Sequence, residues 1–428
     1  MIWWLLGSFA VGLLGGIPVA FSLMLGVVAF IVAAGKIPLD LLAAQMYQAC
    51  QSFPIMAVPF FMLAGDLMER TGITARLIAF AKLFVGRFRG GLAHAMVASE
   101  VVVSGITGSG VADTAALCRI MVGPMEKEGY PRSFTAALAA AAGVMGPIIP
   151  PSIVMIVYGA VMQVSVGALF VGGIVPGVIL ALAYMLTAYL ISVRRNFPRS
   201  AEPLTVKRFL RGLADASLAL IMPVIILWGI RGGVFTPTEG GAIAVAYSIL
   251  VGLVYRTLNL RGILESLVSS ATLSATILVI IAAANPFGWL LTLQQVPQKF
   301  AAAVLGHIHS PYAILLAMNV LLLILGALME TIAVLLLALP VLGPVAVGLG
   351  VNPLHLGVVM IINLSIGLIL PPVGETAMVA SGVAGVDYGS VMKDLVPFTV
   401  ASIAVLLILT YLPQVTLWLP RVLGFAAM

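Results

Sequence analysis

Charged residues are rare in this sequence, and most of them lie in a few short segments between long apolar stretches. Only 8% of the 428 residues are charged and 62% are hydrophobic, whereas soluble globular chains carry roughly 25% charged residues. So little charge cannot cover a water-facing surface. The composition excludes a soluble enzyme, a nucleic-acid-binding domain and a disordered tail. Because one membrane span needs about 20 apolar residues, we expect about ten spans and no large domain outside the bilayer.

Three clusters of arginine and lysine indicate on which side of the membrane the loops lie. They occupy residues 69–93, 194–215 and 256–265, and the positive-inside rule places all three in the cytoplasm. The chain must therefore cross the membrane an even number of times between them. The interval 94–124 is too short and too polar for two full spans. Its polar middle is VSGITGSGVADT (103–114), and we expect a re-entrant hairpin with the Gly/Ser-rich tip TGSGVADT (107–114).

The second half of the sequence repeats the arrangement of the first. Residues 110–152 and 331–373 match in order at a Gly-Pro pair, at a glycine–proline turn and at a Pro-Pro pair. The third basic cluster and the second unit are separated by one span, so the second unit starts from the opposite side of the membrane. This inverted-topology repeat is the plan of many secondary transporters. The predicted fold is an all-α polytopic membrane protein with an inverted-topology repeat, about ten transmembrane helices and two re-entrant hairpins. The number of spans within 2–68 stays open.

Adjacent prolines interrupt an apolar stretch in each unit, at IIPPS (148–152) and at ILPPVGET (369–376). Two prolines remove two N–H donors and force the preceding residue out of helical geometry, so the helix must unwind. Unwound backbone at membrane depth is tolerated only where it is buried in protein or lines a water-filled cavity. Free carbonyls and the hydroxyls of Ser152 and Thr376 could then bind Na⁺, and half-helix N-termini could hold a carboxylate. A simple proline kink is the alternative, but two breaks in register favour a binding site.

The hairpin tips carry the remaining polar groups at membrane depth. The first tip combines glycines, which let the backbone approach a ligand, with the hydroxyls of Thr107 and Ser109 and the carboxylate of Asp113. A charge at mid-membrane costs about 2.5–3.5 kcal/mol on insertion scales, so Asp113 should be paired or functional. Glu330 occupies the mirrored tip, where it is either a hairpin end near water or a sodium- or proton-linked carboxylate. Packing of small residues between helices is the alternative for the glycines.

Motifs for enzymatic chemistry or ATP coupling are missing from the sequence. It contains no Walker A loop, no Ser/His/Asp set and no HExxH motif, so we expect neither an enzyme nor direct ATP coupling. The sequence HIH at 307–309 has no third ligand nearby. We therefore expect no transition-metal site.

Seven segments, in order along the whole chain, resemble the large membrane subunit of tripartite ATP-independent periplasmic (TRAP) transporters, the DctM type. They are PFFMLAGDLMERTGI (59–73), GSGVADTAA (108–116), GYPRSF (129–134), IIPPSIVMIVYG (148–159), TPTEGGAIAVAY (236–247), LMETIAVLLLALPVLGP (328–344) and GLILPPVGE (367–375).

The resemblance implies an elevator-type transporter, in which a transport domain slides against a scaffold. Residues 1–93 would then hold the scaffold helices of the first repeat, and 94–193 its transport elements, a hairpin and a Pro-Pro broken helix. Residues 194–311 would hold a cytoplasmic linker and the scaffold helices of the second repeat. Residues 312–428 would hold the second hairpin, the second broken helix and the last helix.

The resemblance also implies sodium-driven import of an organic acid that bears a carboxylate, such as a dicarboxylate or sialic acid. The partners would be a small four-helix membrane subunit of the DctQ type, expected as a separate chain, and a periplasmic substrate-binding protein of the DctP type. The location would be the bacterial inner membrane, with sodium as the coupling ion, no other cofactor and no nucleic acid. A stand-alone sodium/anion symporter of similar fold is one alternative, and a channel is another.

The site residues that the resemblance implies follow by position in this sequence. The tip reads TGSG where the family often has SGS, but a threonine hydroxyl preserves an oxygen ligand. Ser109, Ser152 and Asp113 are expected to contact substrate. In the first repeat, sodium is expected at Thr107, Gly108, Gly110 and Pro150. In the second repeat, it is expected at Glu330, Thr331 and the segment Gly374 to Thr376, in which Gly374 and Thr376 are the expected ligands.

Overall fold

The computed structural model describes residues 1–35, 37–199, 205–299, 302 and 310–425, and every regular element in these ranges is helical. The first half contains α1 (Ile2–Leu14), α2 (Val19–Ala34), α3 (Leu39–Cys50), a 3-10 turn (Phe53–Met56), α4 (Ala57–Arg70), α5 (Ile73–Val85), α6 (Gly91–Thr107), α7 (Gly110–Lys127), α8 (Arg132–Gly143), α9 (Ile153–Met162) and α10 (Val166–Arg194). The second half contains α11 (Val206–Arg231), α12 (Pro237–Val254), α13 (Leu260–Leu293), α14 (Pro311–Gly326), α15 (Thr331–Gly348), α16 (Pro353–Gly367), α17 (Glu375–Ala384), α18 (Tyr388–Tyr411) and α19 (Pro413–Val422). The HIH sequence at 307–309 lies outside the described residues.

The helices confirm an all-α protein that passes the membrane many times. Six of the described helices are long and apolar enough to cross a bilayer, or seven if the bent pair α3 and α4 counts as one span. If α1 and α2 count as one crossing each, every bent or broken pair counts as one, and the short helices α5 and α19 are left out, the described helices make ten crossings beside two hairpins. α1 and α2 pack antiparallel, since Gly26 lies against the carbonyl of Leu5 and Gly12 against Ser22. Residues 2–34 therefore form two short helices.

Both predicted hairpins are present. α6 and α7 pack against each other and are joined by Gly108 and Ser109. Gly108 has a φ of +62°, a conformation that glycine adopts without the steric cost of a Cβ atom. In the second half, residues 327–330 join α14 to α15. Each tip is therefore only a few residues long and places the start of a new helix beside the end of the previous one.

Both helices unwind at their Pro-Pro pairs, as the sequence predicts. The first helix is interrupted between Gly143 and Ile153, and the second between Gly367 and Glu375. The bonds Pro150–Pro151 and Pro371–Pro372 are cis. Each break divides one crossing into two half-helices, α8 with α9 and α16 with α17.

The two halves of the chain pack on each other in equivalent pairs. α12 packs on α4, and the matching elements α2 and α13 pack on each other. Likewise, α17 packs against α7 and α8, while its counterpart α9 packs against α15 and α16. An inverted repeat requires this exchange of equivalent partners. We call α1–α4 with α11–α13 the outer group, and α6–α10 with α14–α18 the hairpin group.

Candidate functional site

Both hairpin tips and both helix breaks meet around one small cavity, which we call the central cavity. Its volume is about 90 Å³. The hairpin group supplies most of its lining, and the outer group closes one side with Met62 of α4 and Ile277 of α13. The other lining residues are Gly108, Ser109, Gly110, Val111, Pro147, Ile153, Val154, Glu330, Thr331, Ile332, Leu368 and Glu375.

Four helices begin at this cavity. Gly110, Ile153, Thr331 and Glu375 are the first residues of α7, α9, α15 and α17, and all four line it. The first N–H groups of a helix have no partner within the helix, and the N-terminus carries a partial positive charge. The four helix starts therefore supply the partial positive charge of this cavity, whose lining contains two glutamates, Glu330 and Glu375, and no arginine, lysine or histidine among the described residues.

The four helix starts differ in how they are capped. Ser152 caps α9 by accepting a hydrogen bond from the backbone N–H of Met155 at 3.3 Å, and Glu330 caps α15 by accepting one from Ala333 at 3.1 Å. α7 begins after Ser109 and α17 after Gly374, and neither start has a side-chain cap. The N–H groups at the start of α7 are therefore ones that a bound anion could use. At the start of α17, by contrast, the N–H of Thr376 already donates to the carbonyl of Leu368 at 3.1 Å, and Glu375 places a carboxyl group in the first turn.

The hydroxyl groups near the cavity fall into two kinds. Ser152 is fully buried and donates to the carbonyl of Pro147 at 2.5 Å, and Thr376 donates to the carbonyl of Leu368 at 3.0 Å. These two hold the broken helices together. By contrast, Ser109 is half-buried on the cavity surface, and the buried Oγ1 of Thr331 makes no hydrogen bond within the protein. Ser109 and Thr331 are thus free to contact a ligand.

Two buried carboxylates lie behind the first tip. Asp113 accepts a hydrogen bond from Thr107 at 2.5 Å, and Glu100 accepts one from Ser104 at 2.7 Å. The two carboxyl groups also lie within hydrogen-bond reach of each other. The site prediction did not include Glu100. The available sequence signal was an acid on an apolar helix with a serine four residues later.

The structure places the predicted site residues in two layers. Five of them, Gly108, Ser109, Gly110, Glu330 and Thr331, line the central cavity together with Glu375 of the predicted segment Gly374 to Thr376. The others, Thr107, Asp113, Pro150, Ser152, Gly374 and Thr376, lie in the tips and breaks that form its walls. The roles assigned to these residues stay predictions. Sequence reasoning missed Met62 and Ile277, because nothing in an apolar helix signals which side chain faces a distant hairpin.

Comparison with known proteins gives a consistent family. The model of a family described as "Tripartite ATP-independent periplasmic transporter, DctM component" matches residues 6–415. The isethionate TRAP transporter permease protein DctMQ of Oleidesulfovibrio alaskensis is 40% identical over 97% of this chain, which spans 65% of that protein's length. The sialic acid TRAP transporter large permease protein SiaM of Vibrio cholerae is 37% identical over 96% of this chain and 97% of its own. The C4-dicarboxylate TRAP transporter large permease protein DctM of Pseudomonas aeruginosa is 39% identical over 90% of both chains.

Two solved structures share the fold at low sequence identity. The YdaH transporter of Alcanivorax borkumensis superposes with a TM-score of 0.66 and 16% identity, covering 90% of this chain and 89% of its own. MtrF of Neisseria gonorrhoeae superposes with a TM-score of 0.62 and 13% identity, covering 89% and 84%. At such identities the likeness establishes the fold alone.

Proposed function

The chain belongs to the DctM family of tripartite ATP-independent periplasmic transporters, and from this premise we propose that it is the large membrane subunit of a sodium-coupled importer of an organic acid. The relatives are named for isethionate, sialic acid and C4-dicarboxylates, which are all small organic anions. The proposed substrate is accordingly a small carboxylate or sulfonate, and the proposed location is the bacterial inner membrane.

The uncapped start of α7 is the observation that carries this proposal. Gly110 and Val111 begin α7 on the surface of the central cavity, and Ser109 stands beside them with a half-buried hydroxyl. Backbone N–H groups at a helix start, together with a hydroxyl donor, form a favourable site for a carboxylate or sulfonate. The anion would bind at the first tip, with Ser109 as its side-chain donor.

The oxygen atoms on the opposite side of the cavity suit sodium. Glu330, Thr331 and Glu375 contribute two carboxylates and a hydroxyl, and hard cations of this kind are coordinated by carboxylate, hydroxyl and carbonyl oxygens. Sodium ions there would reduce the negative charge that the carboxylates and the nearby substrate bring to the cavity. This proximity gives a physical reason for coupling, because each ion lowers the cost of placing the other at membrane depth.

The proposed mechanism is an elevator movement of the hairpin group against the outer group. Met62 and Ile277, the two outer-group residues at the cavity, are both apolar, so they present no fixed polar partner that would hold the site in place. The proposed partners are a small four-helix membrane subunit and a periplasmic binding protein, as a tripartite system requires.

Transport in proteoliposomes tests this proposal. The chain would be reconstituted with the candidate partners encoded beside it and supplied with labelled isethionate, succinate or N-acetylneuraminate. We expect an inward sodium gradient to drive accumulation of one of them, only in the presence of the binding protein. Ser109→Ala should reduce uptake roughly 10- to 100-fold, the equivalent of one hydrogen bond to a charged group. The control Ser217→Ala, at a half-buried serine of α11 that does not line the central cavity, should transport normally.

Three outcomes would contradict parts of the proposal. Full uptake without the binding protein would favour the stand-alone symporter, and equilibration without accumulation would favour a channel. Equal uptake by Ser109→Ala and Ser217→Ala would remove Ser109 from the substrate site.

A further inference from the structure

A second and larger cavity lies between the hairpin group and the outer group. We call it the outer vestibule. Its volume is about 560 Å³, and α3 and α13 of the outer group face α9 and α15 of the hairpin group across it. Its polar lining residues are Gln45, Gln48, Ser52, Gln163, Asn285 and Thr292.

The outer vestibule lies toward the non-cytoplasmic side of the membrane. On α13, the basic residue Arg261 stands at the first turn, whereas the vestibule residues run from Ile281 to Thr292 near the other end. The positive-inside rule places the Arg261 end in the cytoplasm. A solute that arrives from outside would therefore meet the vestibule before the central cavity.

One helical turn separates the vestibule from the central cavity. On α13, Ile277 lines the central cavity and Ile281 the vestibule; on α15, Ile332 and Leu336 have the same relation. Residues four apart on a helix lie about one turn, or roughly 5.4 Å, apart along the axis. The two spaces are thus adjacent chambers with a thin apolar layer between them.

The lining of the vestibule is polar but carries no charge. Asn285 of α13 donates to the backbone carbonyl of Gln45 at 2.8 Å and to its side-chain oxygen at 3.0 Å. Because its oxygen is engaged in this way, the group that Gln45 can offer a solute is its amide NH₂, a hydrogen-bond donor. No aspartate, glutamate, lysine, arginine or histidine is among the described lining residues.

Two prolines leave backbone carbonyls of α15 without their helical partners beside the vestibule. Pro340 and Pro344 lie inside α15 and line the cavity. A proline within a helix leaves the carbonyl four residues earlier without its N–H partner, here the carbonyls of Leu336 and Pro340. At membrane depth such carbonyls are tolerated where they line a water-filled cavity.

Resting on the proposed function, we infer that the outer vestibule is an entry site that binds the substrate anion before it reaches the central cavity. The central cavity of about 90 Å³ is several times smaller than the vestibule of about 560 Å³, which lies in the size range of small-molecule sites. Neutral amide donors hold an anion by hydrogen bonds without the strong attraction of a fixed positive charge, so the anion can leave inward. Gln48 and Gln45 are then specificity-determining residues supplied by the outer group, and Asn285, whose two N–H bonds go to Gln45, positions Gln45.

Thiol labelling tests the entry site independently of transport. Gln48→Cys would be introduced in a Cys50→Ser background, in which the other cysteine, Cys118, is buried. The membrane-impermeant sulfonate reagent MTSES would be added from outside, and modification measured by mass spectrometry. The matched control is Tyr47→Cys, because Tyr47 is 67% exposed on the neighbouring position of α3 and does not line the vestibule.

We expect MTSES to modify Gln48→Cys, and we expect any modification of Tyr47→Cys, which does not line the vestibule, to proceed at the same rate with and without the anions. We also expect the anion that the wild type transports, among isethionate, succinate and N-acetylneuraminate, to slow the modification roughly tenfold at saturation. No modification of Gln48→Cys, or modification that none of these anions slows, would overturn the entry site. Absence of uptake by the wild type would overturn the proposed function instead. The labelling does not measure uptake, so the two results distinguish a failed entry site from a failed proposed function.

Discussion

Thr331 carries a hydroxyl that is buried beside two carboxylates, yet bonds to no atom of the protein. Its Oγ1 is the unpartnered atom, and Glu330 and Glu375 line the same cavity. Leaving a buried polar group without a partner costs free energy of about 1–3 kcal/mol. A bound cation would supply the missing contact, so this residue offers a direct test of the sodium site.

We predict that Thr331→Val removes the response to sodium without lowering basal stability. Valine has nearly the same shape, and the lost hydroxyl makes no hydrogen bond within the protein. A ligand that binds only the folded state raises the unfolding temperature, so the measurement is thermal unfolding in detergent with and without Na⁺. The control is Thr114→Val, which removes a hydroxyl bonded to Gly110 at 2.8 Å and should lower basal stability while keeping the sodium response. An unchanged sodium response in Thr331→Val would place the ion elsewhere.

At the scale of helices, glycines let the hairpin tips touch the ends of the broken helices. A Cβ atom on Gly146 would lie 2.6 Å from the backbone nitrogen of Gly110, and one on Gly367 would lie 2.5 Å from the carbonyl carbon of Gly326. Both contacts are between backbones, which cannot move aside as a flexible side chain can. Gly146 and Gly367 occupy equivalent positions, each four residues before a Pro-Pro pair.

We predict that Gly146→Ala destabilises the protein by about 1–3 kcal/mol, the usual cost of overpacking. Gly123→Ala is the matched control, because Gly123 also belongs to the first repeat and a Cβ there would meet nothing within 4 Å. Unfolding by heat or denaturant in detergent measures both variants. If the two were equally stable, the tight contact between the first tip and the first break would be refuted.

Across the whole molecule, an ion pair connects the outer group to the hairpin group. Arg119 of α7 contacts Glu69 of α4 at 2.5 Å, with side chains 57% and 31% exposed. Such exposed pairs contribute roughly 0.2–1 kcal/mol, so the pair adds little to overall stability. If the hairpin group moves as an elevator, however, this contact must open in each cycle.

We predict that Arg119→Ala changes the rate of sodium-driven uptake by up to about fivefold and leaves the unfolding temperature unchanged, since 0.2–1 kcal/mol corresponds to a factor of about 1.4 to 5. Arg132→Ala is the control, because its partner Glu126 belongs to the same hairpin group and the two lie 2.8 Å apart. Uptake at equal rates by both variants would indicate that the contact between the two groups does not move during transport.

The sequence alone determined the properties that depend on local chemistry. Scarce charge predicts a lipid environment, basic clusters predict the loop sides, and the Pro-Pro pairs predict broken helices, because proline removes N–H donors wherever it stands. The repeated order of these features predicts two inverted halves.

The tertiary structure decided which groups face each other. It brings four helix starts to one cavity, those at Gly110, Ile153, Thr331 and Glu375. It leaves the start of α7 without a side-chain cap. It also places Asp113 behind the first tip instead of on the cavity surface. It also places Gln45 of α3 beside Asn285 of α13, which lies in the other half of the chain. The contact between Gln45 and Asn285 joins residues 240 positions apart. Such contacts depend on how apolar helices pack together. Helices of this kind carry hydrophobic side chains on every face, so their local pattern does not specify which face contacts which partner.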